Sequence, residues 1–276
     1  MIEVHDVSVE LPGRPQPVLD GVSFRLQAGE RVALLGGNGS GKTTLARLLN
    51  GTVLPSRGRV LVHGFDTRDP SARFEVRRHV GLLFQDPDHQ FVTTTVEREI
   101  AFGLENLNEP TPRMHAAVRG ALEDFDLRGR EQAPPHEMSG GEKARLALAC
   151  VWVMGPSALV LDETDCLLDR RSTERLWRQV DDLPADTALL RVTTDAELAA
   201  SSPRVLVLHE GRLVAEGPPD AVFAHLPPEV VARVGLPLVW RLAEELVRAG
   251  RLHRATVSLD RVLTGLGVPG PGGGAA

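Results

Sequence analysis

The sequence has no tyrosine, only two cysteines and few aromatic residues, which make up 4% of the chain. Two cysteines, Cys150 and Cys166, do not form a disulfide framework, and reduced, mostly buried thiols are the interpretation that we favour. An excess of basic residues is also missing, because the net charge is −6. The two cysteines therefore argue against a disulfide-stabilised secreted fold. The negative net charge argues against a protein that binds nucleic acid, although it leaves room for local basic patches.

Long hydrophobic runs are missing as well. The longest uncharged apolar run, residues 146–154, is far shorter than the roughly 20 residues that a transmembrane helix needs. The residues 1–6 include an early acid and lack the apolar stretch of a signal peptide. We therefore expect a protein that is made and kept in the cytosol. Its 276 residues suffice for one large domain or two small ones.

A glycine-rich loop is the most informative motif that is present. Its residues, which follow the pattern G-x-x-x-x-G-K-T, are Gly36, Gly37, Asn38, Gly39, Ser40, Gly41, Lys42 and Thr43. An apolar run precedes the loop and a helical stretch follows it, so backbone N–H groups and a helix N-terminus can bind phosphates. Lys42 then adds a positive charge, and the Thr43 hydroxyl is a Mg²⁺ ligand. A chance match is the weaker alternative, and the sequence predicts binding of a nucleoside triphosphate.

Apolar strands and helices alternate along most of the chain. Continuous apolar runs, typical of a mostly parallel sheet covered on both faces, lie at 32–35, 80–84, 158–161, 187–192 and 205–208. The first third also contains residues 22–26, which alternate between apolar and polar as in a half-buried strand. The pattern predicts an α/β fold with a β-rich N-terminal part.

Helices are predicted between 91 and 155, as an insertion into the α/β core. Thr94 and Glu97 have the spacing of a capping box, and Thr111 precedes a proline, so both threonines are predicted N-caps. The helix after Thr111 carries an apolar stripe at helical spacing, which consists of Met114, Val118, Leu122 and Phe125. Packing in the core is favoured for this stripe over docking of a partner.

Two acidic residues, Asp162 and Glu163, directly follow the apolar run at 158–161. In a phosphate-loop protein, a carboxylate at this end of a buried strand holds Mg²⁺, and a second one can orient the water that attacks the γ-phosphate. Asp162 is therefore the predicted metal ligand, and Glu163 the predicted base. Gln85 follows another buried strand, where its amide can contact both the Mg²⁺ and the water.

A second anion site is predicted at Ser139, Gly140, Gly141 and Glu142. Ser139 and Glu142 have capping-box spacing, and the two glycines let an anion approach the N-terminus of the next helix. One nucleotide cannot explain two anion sites that are far apart in one subunit. A head-to-tail dimer explains both, with each nucleotide between the loop of one chain and the serine-glycine turn of the other.

Taken in order, these motifs resemble the ATP-binding subunits of ABC transporters over roughly residues 2 to 217. The resemblance identifies residues 36–43 as the Walker A loop, Gln85 as the Q-loop, 139–142 as the signature motif, 159–163 as Walker B and Asp169 as the D-loop aspartate. It implies ATP hydrolysis with Mg²⁺, and it adds Thr44 to the nucleotide-binding residues. The implied fold is a P-loop NTPase core, a mostly parallel sheet plus an N-terminal antiparallel β part, with an inserted helical subdomain and a short C-terminal helical extension.

The resemblance also implies domain boundaries. The ATPase domain would comprise residues 1–217, with its core at about 1–90 and 156–217 and the helical subdomain at about 91–155. The C-terminal helical extension would comprise residues 218–267. The glycine- and proline-rich end, 268–276, is predicted to be disordered.

Within the family, residues 84–90, 101–107 and 217–252 resemble the energy-coupling-factor group, which imports cobalt, nickel or vitamins. This resemblance implies a pair of ATPase subunits that act on a membrane coupling subunit, whose helices dock near the Q-loop. A separate small membrane protein would capture the substrate. The chain would then be a peripheral protein on the cytoplasmic face of the cell membrane, and its sequence does not encode the substrate.

Three positions depart from the family's pattern. Thr194 stands where the family has a histidine that contacts the γ-phosphate, and loss of such a donor typically costs on the order of 10²–10³ in rate. Leu11 stands where a tyrosine stacks on adenine, which leaves an apolar contact with Val18 but no π-stacking. Residues 163–169 read Glu-Thr-Asp-Cys-Leu-Leu-Asp, where the family's D-loop usually has Pro-Thr-Ala-Gly before Leu-Asp. This loop crosses the dimer interface in the family.

These departures lead to the hypothesis that the chain's own site binds ATP but hydrolyses it slowly. The Ser139 turn would complete a competent site on a non-identical partner, so a heterodimer is favoured. A homodimer that tolerates Thr194 because Glu163 carries the chemistry is one alternative. A non-hydrolysing regulatory subunit and a soluble ABC ATPase acting on DNA, chromosomes or ribosomes are the others. The soluble class usually has a coiled coil, a zinc insertion or tandem ATPase domains, which this sequence lacks.

Overall fold

The structure is a computed structural model that describes residues 1–164 and 168–268. The strands, in chain order, are β1 (Ile2–Val9), β2 (Leu19–Leu26), β3 (Arg31–Leu35), β4 (Arg57–Val62), β5 (Phe65–Asp66), β6 (Val80–Leu83), β7 (Ala158–Asp162), β8 (Ala188–Thr193), β9 (Arg204–His209) and β10 (Arg212–Gly217). The helices are α1 (Lys42–Leu49), α2 (Arg73–His79), α3 (Val96–Asn106), α4 (Thr111–Asp124), α5 (Gly140–Trp152), α6 (Arg170–Asp181), α7 (Ala196–Ala200), α8 (Pro219–Ala224), α9 (Pro228–Val234), α10 (Leu238–Arg248) and α11 (Leu259–Gly265).

The chain divides into two compact units, the first of residues 1–30 and 43–192 and the second of residues 31–42 and 193–276. The first unit contains an antiparallel sheet in the order β2-β1-β4-β5 and a parallel ladder of β6, β7 and β8. The prediction of an α/β fold with parallel strands and an antiparallel N-terminal part is confirmed. The domain boundaries given above stay predictions, and residues 269–276 of the tail lie outside the described residues.

The apolar stripe of α4 packs in the core of the first unit, as its spacing predicts. Val118, Leu122 and Phe125 are buried in the cluster that α3, α4 and α5 form with the parallel strands, and Met114 packs against this cluster. Burial of large apolar side chains stabilises the fold by about 1.5–3 kcal/mol for each side chain. The stripe is therefore a structural feature of the helical segment.

The two predicted N-caps before this core are each wrong by one residue. Thr95, not Thr94, has extended backbone and accepts a hydrogen bond from the Arg98 N–H, so α3 begins at Val96. The predicted partner Glu97 instead accepts a hydrogen bond from Gln132 Nε2 at 3.0 Å. At α4 the helix begins at Thr111 itself, after Pro110. At both helix starts, adjacent residues fit the N-cap position about equally well, so the sequence predicts the first helical residue only to within one position.

The second unit pairs β3 with β9 in parallel and β9 with β10 in antiparallel orientation. Its core combines these strands with the C-terminal helices, and Phe223 of α8 contacts Trp240 of α10 with ring centroids 6.3 Å apart. Asp220 of α8 accepts hydrogen bonds from the Val257 N–H and from Arg261, which fixes the segment before α11. The helices after 217 therefore share a core with the strand that precedes the glycine loop.

Two further findings concern the thiols and membrane spanning. The Cys150 thiol is free, and burial raises its pKa well above the usual value, while Cys166 lies outside the described residues. Within the described ranges, no helix combines the length and the apolar character that a membrane span requires.

A stacked histidine pair makes the stability of the first unit depend on pH. The rings of His63 and His79 lie 4.3 Å apart, and His63 Nε2 is 2.8 Å from the Ser157 hydroxyl. Burial lowers the pKa of both imidazoles, so the folded chain binds fewer protons than the unfolded chain below about pH 6.5. The stability that the neutral pair contributes is complete above this pH and is lost as the pH falls below it.

We therefore expect the thermal unfolding midpoint to fall by a few degrees more in the wild type than in His79→Gln when the pH is lowered from about 7.5 to about 5.5. Unfolding followed by circular dichroism at both pH values measures the difference. Equal slopes in the two proteins would contradict a titrating histidine pair.

Candidate functional site

The glycine loop follows β3 in the second unit and turns within a few residues into α1. The Gly36 N–H donates to the Thr193 carbonyl at 3.3 Å, and the Ser40 N–H donates to the Gly37 carbonyl at 3.2 Å. Gly39 and Gly41 have positive φ angles of 76° and 105°, which side chains with a Cβ rarely adopt. The glycines therefore allow a tight concave turn of backbone.

Close packing explains why the first position of this loop is glycine. A Cβ on Gly36 would lie 2.5 Å from the Leu208 carbonyl oxygen and 2.6 Å from Ser40 Oγ. Ser40 is 6% exposed, and its hydroxyl has no hydrogen-bond partner among the described residues. A buried hydroxyl without a partner is costly, and an oxyanion in the loop would supply the acceptor.

The ammonium of Lys42 lies inside the loop. Lys42 is 5% exposed, and its Nζ donates to the Gly36 carbonyl at 2.9 Å and to the Gly37 carbonyl at 3.1 Å. Because α1 begins at Lys42, Thr43 and Thr44 are in the first turn of the helix. The loop thus combines a fixed cation, an orphaned hydroxyl and the N-terminus of a helix, which suits a phosphate group.

The acidic pair lies in the first unit, where β7 ends. Asp162 is the last residue of β7, is 3% exposed and is in register with Val192 of β8. Glu163 is half-buried, and its N–H donates to the Val192 carbonyl at 3.1 Å. Glu163 also has a φ angle of 50°, which is uncommon for a residue other than glycine and stores backbone strain of the kind found at functional sites.

Gln85 lies beside this acidic pair. It follows β6, the neighbour of β7, and its Nε2 is 3.5 Å from Glu163 Oε2, a long hydrogen bond. The structure thus brings together two of the predicted catalytic residues. Just before it, Phe84 faces the guanidinium of Arg47 in α1, with 5.7 Å between the Arg47 Cζ and the ring centroid.

The serine-glycine turn forms the capping box that its spacing predicts. The Glu142 N–H donates to Ser139 Oγ, and the Ser139 N–H donates to Glu142 Oε2 at 2.9 Å. The Ser139 hydroxyl also donates to Glu142 Oε2 at 2.8 Å, and these bonds lower the pKa of the Glu142 carboxyl. The predicted anion site therefore already contains an anion, the carboxylate of Glu142, which the capping box brings to the Ser139 N–H and which also accepts from the Ser139 hydroxyl.

The second glycine of the turn, Gly141, packs closely against α6. A Cβ on Gly141 would lie 2.3 Å from the hydroxyl oxygen of Ser172 in α6, so Gly141 is needed for packing of α5 against α6. Asp169 is the N-cap of α6, and its carboxylate accepts a hydrogen bond from the Ser172 N–H at 2.8 Å. Residues 165–167 of the predicted D-loop lie outside the described residues.

An ion pair that the sequence did not reveal connects the segment after Gln85 to α5. Lys143 Nζ lies 2.8 Å from the Asp88 carboxylate. Both residues line a cavity of about 140 Å³, together with Phe84, Thr164 and Leu168. The hydroxyl of Thr164 is buried and has no partner in the described part of the chain. No local signal could have identified this cavity, because its walls come from distant parts of the sequence.

The remaining predicted residues lie at two other places. Thr194 is half-buried, directly after β8, and the neighbouring Asp195 N–H donates to Thr193 Oγ1 at 3.0 Å. In the first unit, Leu11 is 41% exposed in the turn after β1. Val18 is half-buried, and its N–H donates to the Val9 carbonyl at 2.7 Å. An exposed leucine is free to contact an apolar face of a ligand.

Comparison with known proteins identifies the family. The model of the ABC transporter family matches residues 19–165. A putative ABC transporter ATP-binding protein of Deinococcus radiodurans is 46% identical over 220 residues, which are 79% of this chain and 94% of that protein. The energy-coupling factor transporter ATP-binding protein EcfA1 of Symbiobacterium thermophilum is 39% identical over 251 residues, or 90% of this chain and 88% of that protein.

Solved structures agree with these relatives. The structure of cbiO1 of Clostridium perfringens, described as part of the ABC transporter complex cbiONQ, matches with a TM-score of 0.72 and 29% identity over 90% of this chain and 96% of that one. A dimeric ATP-binding cassette, MJ0796, in a post-hydrolysis state with ADP and Pi, is 20% identical with a TM-score of 0.71 over 79% of this chain and 98% of that one, and shows the fold. The chain therefore belongs to the ATP-binding subunits of ABC transporters, a family of ATPases, and within it to the energy-coupling factor ATP-binding proteins.

Proposed function

We propose that this chain is the ATP-hydrolysing motor subunit of an energy-coupling-factor importer for a metal ion or a vitamin. The observation that carries the proposal is the geometry of the loop at 36–42. The buried Lys42 ammonium and the Ser40 hydroxyl, which has no partner among the described residues, both belong to this one turn of backbone. The names of the relatives supply the transport context. In this proposal ATP closes a dimer, and hydrolysis reopens it and drives a membrane partner.

The donor set of the first unit suits Mg²⁺. Thr43, Gln85 and Asp162 offer a hydroxyl, an amide and a carboxylate, which are the oxygen ligands that this hard cation prefers. Among the residues that the structure describes, no three or more His, Cys, Asp or Glu side chains form a metal site by themselves. The phosphates of the nucleotide would complete the coordination, and the bound ion would neutralise charge on them.

The proposed roles of the other residues follow from their chemistry. Residues 36–44 bind the phosphates, and Glu163 accepts a proton from the attacking water, which Gln85 helps to orient. Leu11 and Val18 contact the base by apolar packing alone. The strained backbone of Glu163 and its contact with Gln85 support this assignment.

We infer that the serine-glycine turn acts on the nucleotide of a second ATPase subunit, and that this subunit is a different chain. A phosphate that binds at Ser139 has to displace the hydrogen bond between the Ser139 hydroxyl and Glu142. Asp169, exposed at the start of α6, would contact the same partner. A heterodimer is favoured because Thr194 weakens the chain's own site while the turn stays intact.

The cavity beside Gln85 supports docking of a membrane coupling subunit. Its walls are largely apolar, its volume is about 140 Å³, and Asp86 adds a negative charge, while the Asp88 carboxylate is paired with Lys143. A helix that presents an apolar residue and a basic one would fit this surface. We propose that the chain reaches the cytoplasmic face of the cell membrane through this contact, and that a separate membrane protein captures the substrate.

Replacement of Thr194 by histidine tests the proposal that the chain's own site is slow. We expect steady-state Mg-ATP hydrolysis by the purified chain to be low and to rise by about tenfold or more in Thr194→His, because the imidazole restores a donor to the γ-phosphate. Thr194→Ser keeps a hydroxyl and is expected to stay slow.

Two other outcomes each support a different function. A brisk wild-type rate that Thr194→His barely changes would indicate a homodimeric motor whose chemistry depends on Glu163. Silence of both proteins, with ATP binding intact, would indicate a non-hydrolysing regulatory subunit.

A further inference from the structure

An arginine of the C-terminal helices, Arg233, lies against the phosphate loop. It is in the last turn of α9, and a Cβ on Gly37 would be 3.1 Å from its Cβ, 3.7 Å from its Cγ and 3.9 Å from its Cδ. Three carbons of the arginine side chain therefore pass along the backbone of Gly37. Both residues belong to the second unit.

The charge of Arg233 is not neutralised within the described part of the chain. The residue is exposed, and no ion pair or hydrogen bond of its guanidinium is found there. Two arginines of the same helices differ, since Arg248 pairs with Glu245 and Arg261 pairs with Asp220. A guanidinium without a carboxylate partner, next to a phosphate-binding turn, is suited to bidentate hydrogen bonds with phosphate oxygens.

Gly37 links this arginine to the cation of the loop. The Gly37 carbonyl accepts a hydrogen bond from Lys42 Nζ at 3.1 Å, while the Cα of the same residue faces the Arg233 side chain. In a phosphate loop this lysine reaches the β- and γ-phosphates. Arg233 therefore packs on a residue that the lysine of the loop also contacts, and its guanidinium, which extends beyond Cδ, is long enough to reach a phosphate bound beside that lysine.

We propose that Arg233 donates hydrogen bonds to the γ-phosphate of bound ATP and so contributes to its binding, while the transition-state contact of the family's histidine stays missing at Thr194. The C-terminal helices thereby complete the nucleotide site of this chain and make it respond to the terminal phosphate. This role rests on nucleotide binding at residues 36–42, as proposed above. It assigns to the extension a contribution to nucleotide binding that its distance in sequence from the loop conceals.

Binding of fluorescent mant-ATP and mant-ADP, with Mg²⁺, tests the proposal without relying on turnover. Arg233→Met keeps the carbons that pack on Gly37 and removes the charge. We expect this variant to bind mant-ATP about tenfold more weakly or worse, and mant-ADP within about twofold of the wild type, because the lost bonds are charge-assisted and specific to the γ-phosphate. Arg241→Met removes the same charge from α10 and is expected to change neither affinity.

Two further variants separate the proposed contact with the γ-phosphate from the packing of Arg233 against Gly37. Addition of Thr194→His to Arg233→Met is expected to restore part of the preference for mant-ATP, whereas Arg233→Lys should retain an intermediate preference. Equal losses for the two nucleotides, or no loss, would overturn the role of Arg233. Failure of the wild type to bind either nucleotide would overturn the proposed function together with this role. Thermal unfolding midpoints near that of the wild type show that the variants are folded.

Discussion

Methionine in place of Lys42 is expected to abolish hydrolysis and to weaken ATP binding by about a hundredfold or more, since bonds between charged groups and phosphates are among the strongest that a site makes. The Lys42 ammonium donates to the Gly36 and Gly37 carbonyls inside the loop. Methionine retains the apolar stem but removes the charge and leaves both carbonyls without this donor. Titration with mant-ATP measures the binding, and inorganic phosphate release measures hydrolysis.

Lys143→Met is the matched control for this prediction. Lys143 pairs with Asp88 and lies outside the glycine loop, so its loss is expected to leave mant-ATP affinity within about twofold of the wild type, as for a partly exposed ion pair. Normal ATP binding by Lys42→Met would show that the loop at 36–43 is not the phosphate site. A lower unfolding midpoint in that variant alone would reveal a folding defect instead.

Glutamine in place of Glu163 is expected to lower the hydrolysis rate by about 10²–10⁴, the usual contribution of a general base, with little change in ATP affinity. The amide has nearly the same shape and still offers an oxygen to Gln85 Nε2, which lies 3.5 Å from Glu163 Oε2. It cannot accept a proton from water. A fall in kcat at constant KM is therefore the expected signature of a group that acts in the transition state.

The rate comparison needs a measurable starting activity. If the wild type is slow, the same substitution is made in the Thr194→His background, where the expected fall is easier to measure. Glu174→Gln, at an exposed i,i+4 pair with Arg170 in α6, is the control and should leave the rate unchanged. A rate for Glu163→Gln within a few-fold of its parent would assign the base to another group.

The parts of the fold that the sequence predicts well are those with local signals. The strands before Gly36 and Asp162 are short apolar runs, and the capping box of Ser139 and Glu142 depends on residues three apart, so each was recognisable without tertiary information. The cap of α3 was wrong by one residue because Thr94 and Thr95 carry the same chemistry. Local sequence signals therefore predict that a helix is present but not the residue at which it begins.

The parts of the candidate site that the sequence did not predict are contacts between distant segments. Nothing in the neighbourhood of Arg233 indicates that it reaches Gly37, and nothing near Asp88 indicates a bond with Lys143. Packing decides these contacts, and packing is a property of the whole chain.

The chain's lysine content has a practical consequence for covalent labelling. Of its 31 Lys and Arg residues only two are lysines, Lys42 and Lys143, and both are engaged, one with loop carbonyls and the other with Asp88. Because Lys42 is only 5% exposed, acylating reagents and amine-coupled sensor surfaces reach it poorly, which leaves the α-amino group and Lys143 as the amines available for coupling. Amine coupling would therefore attach this protein through very few points, one of them in the helix that follows the serine-glycine turn, so immobilisation through a tag is the safer chemistry.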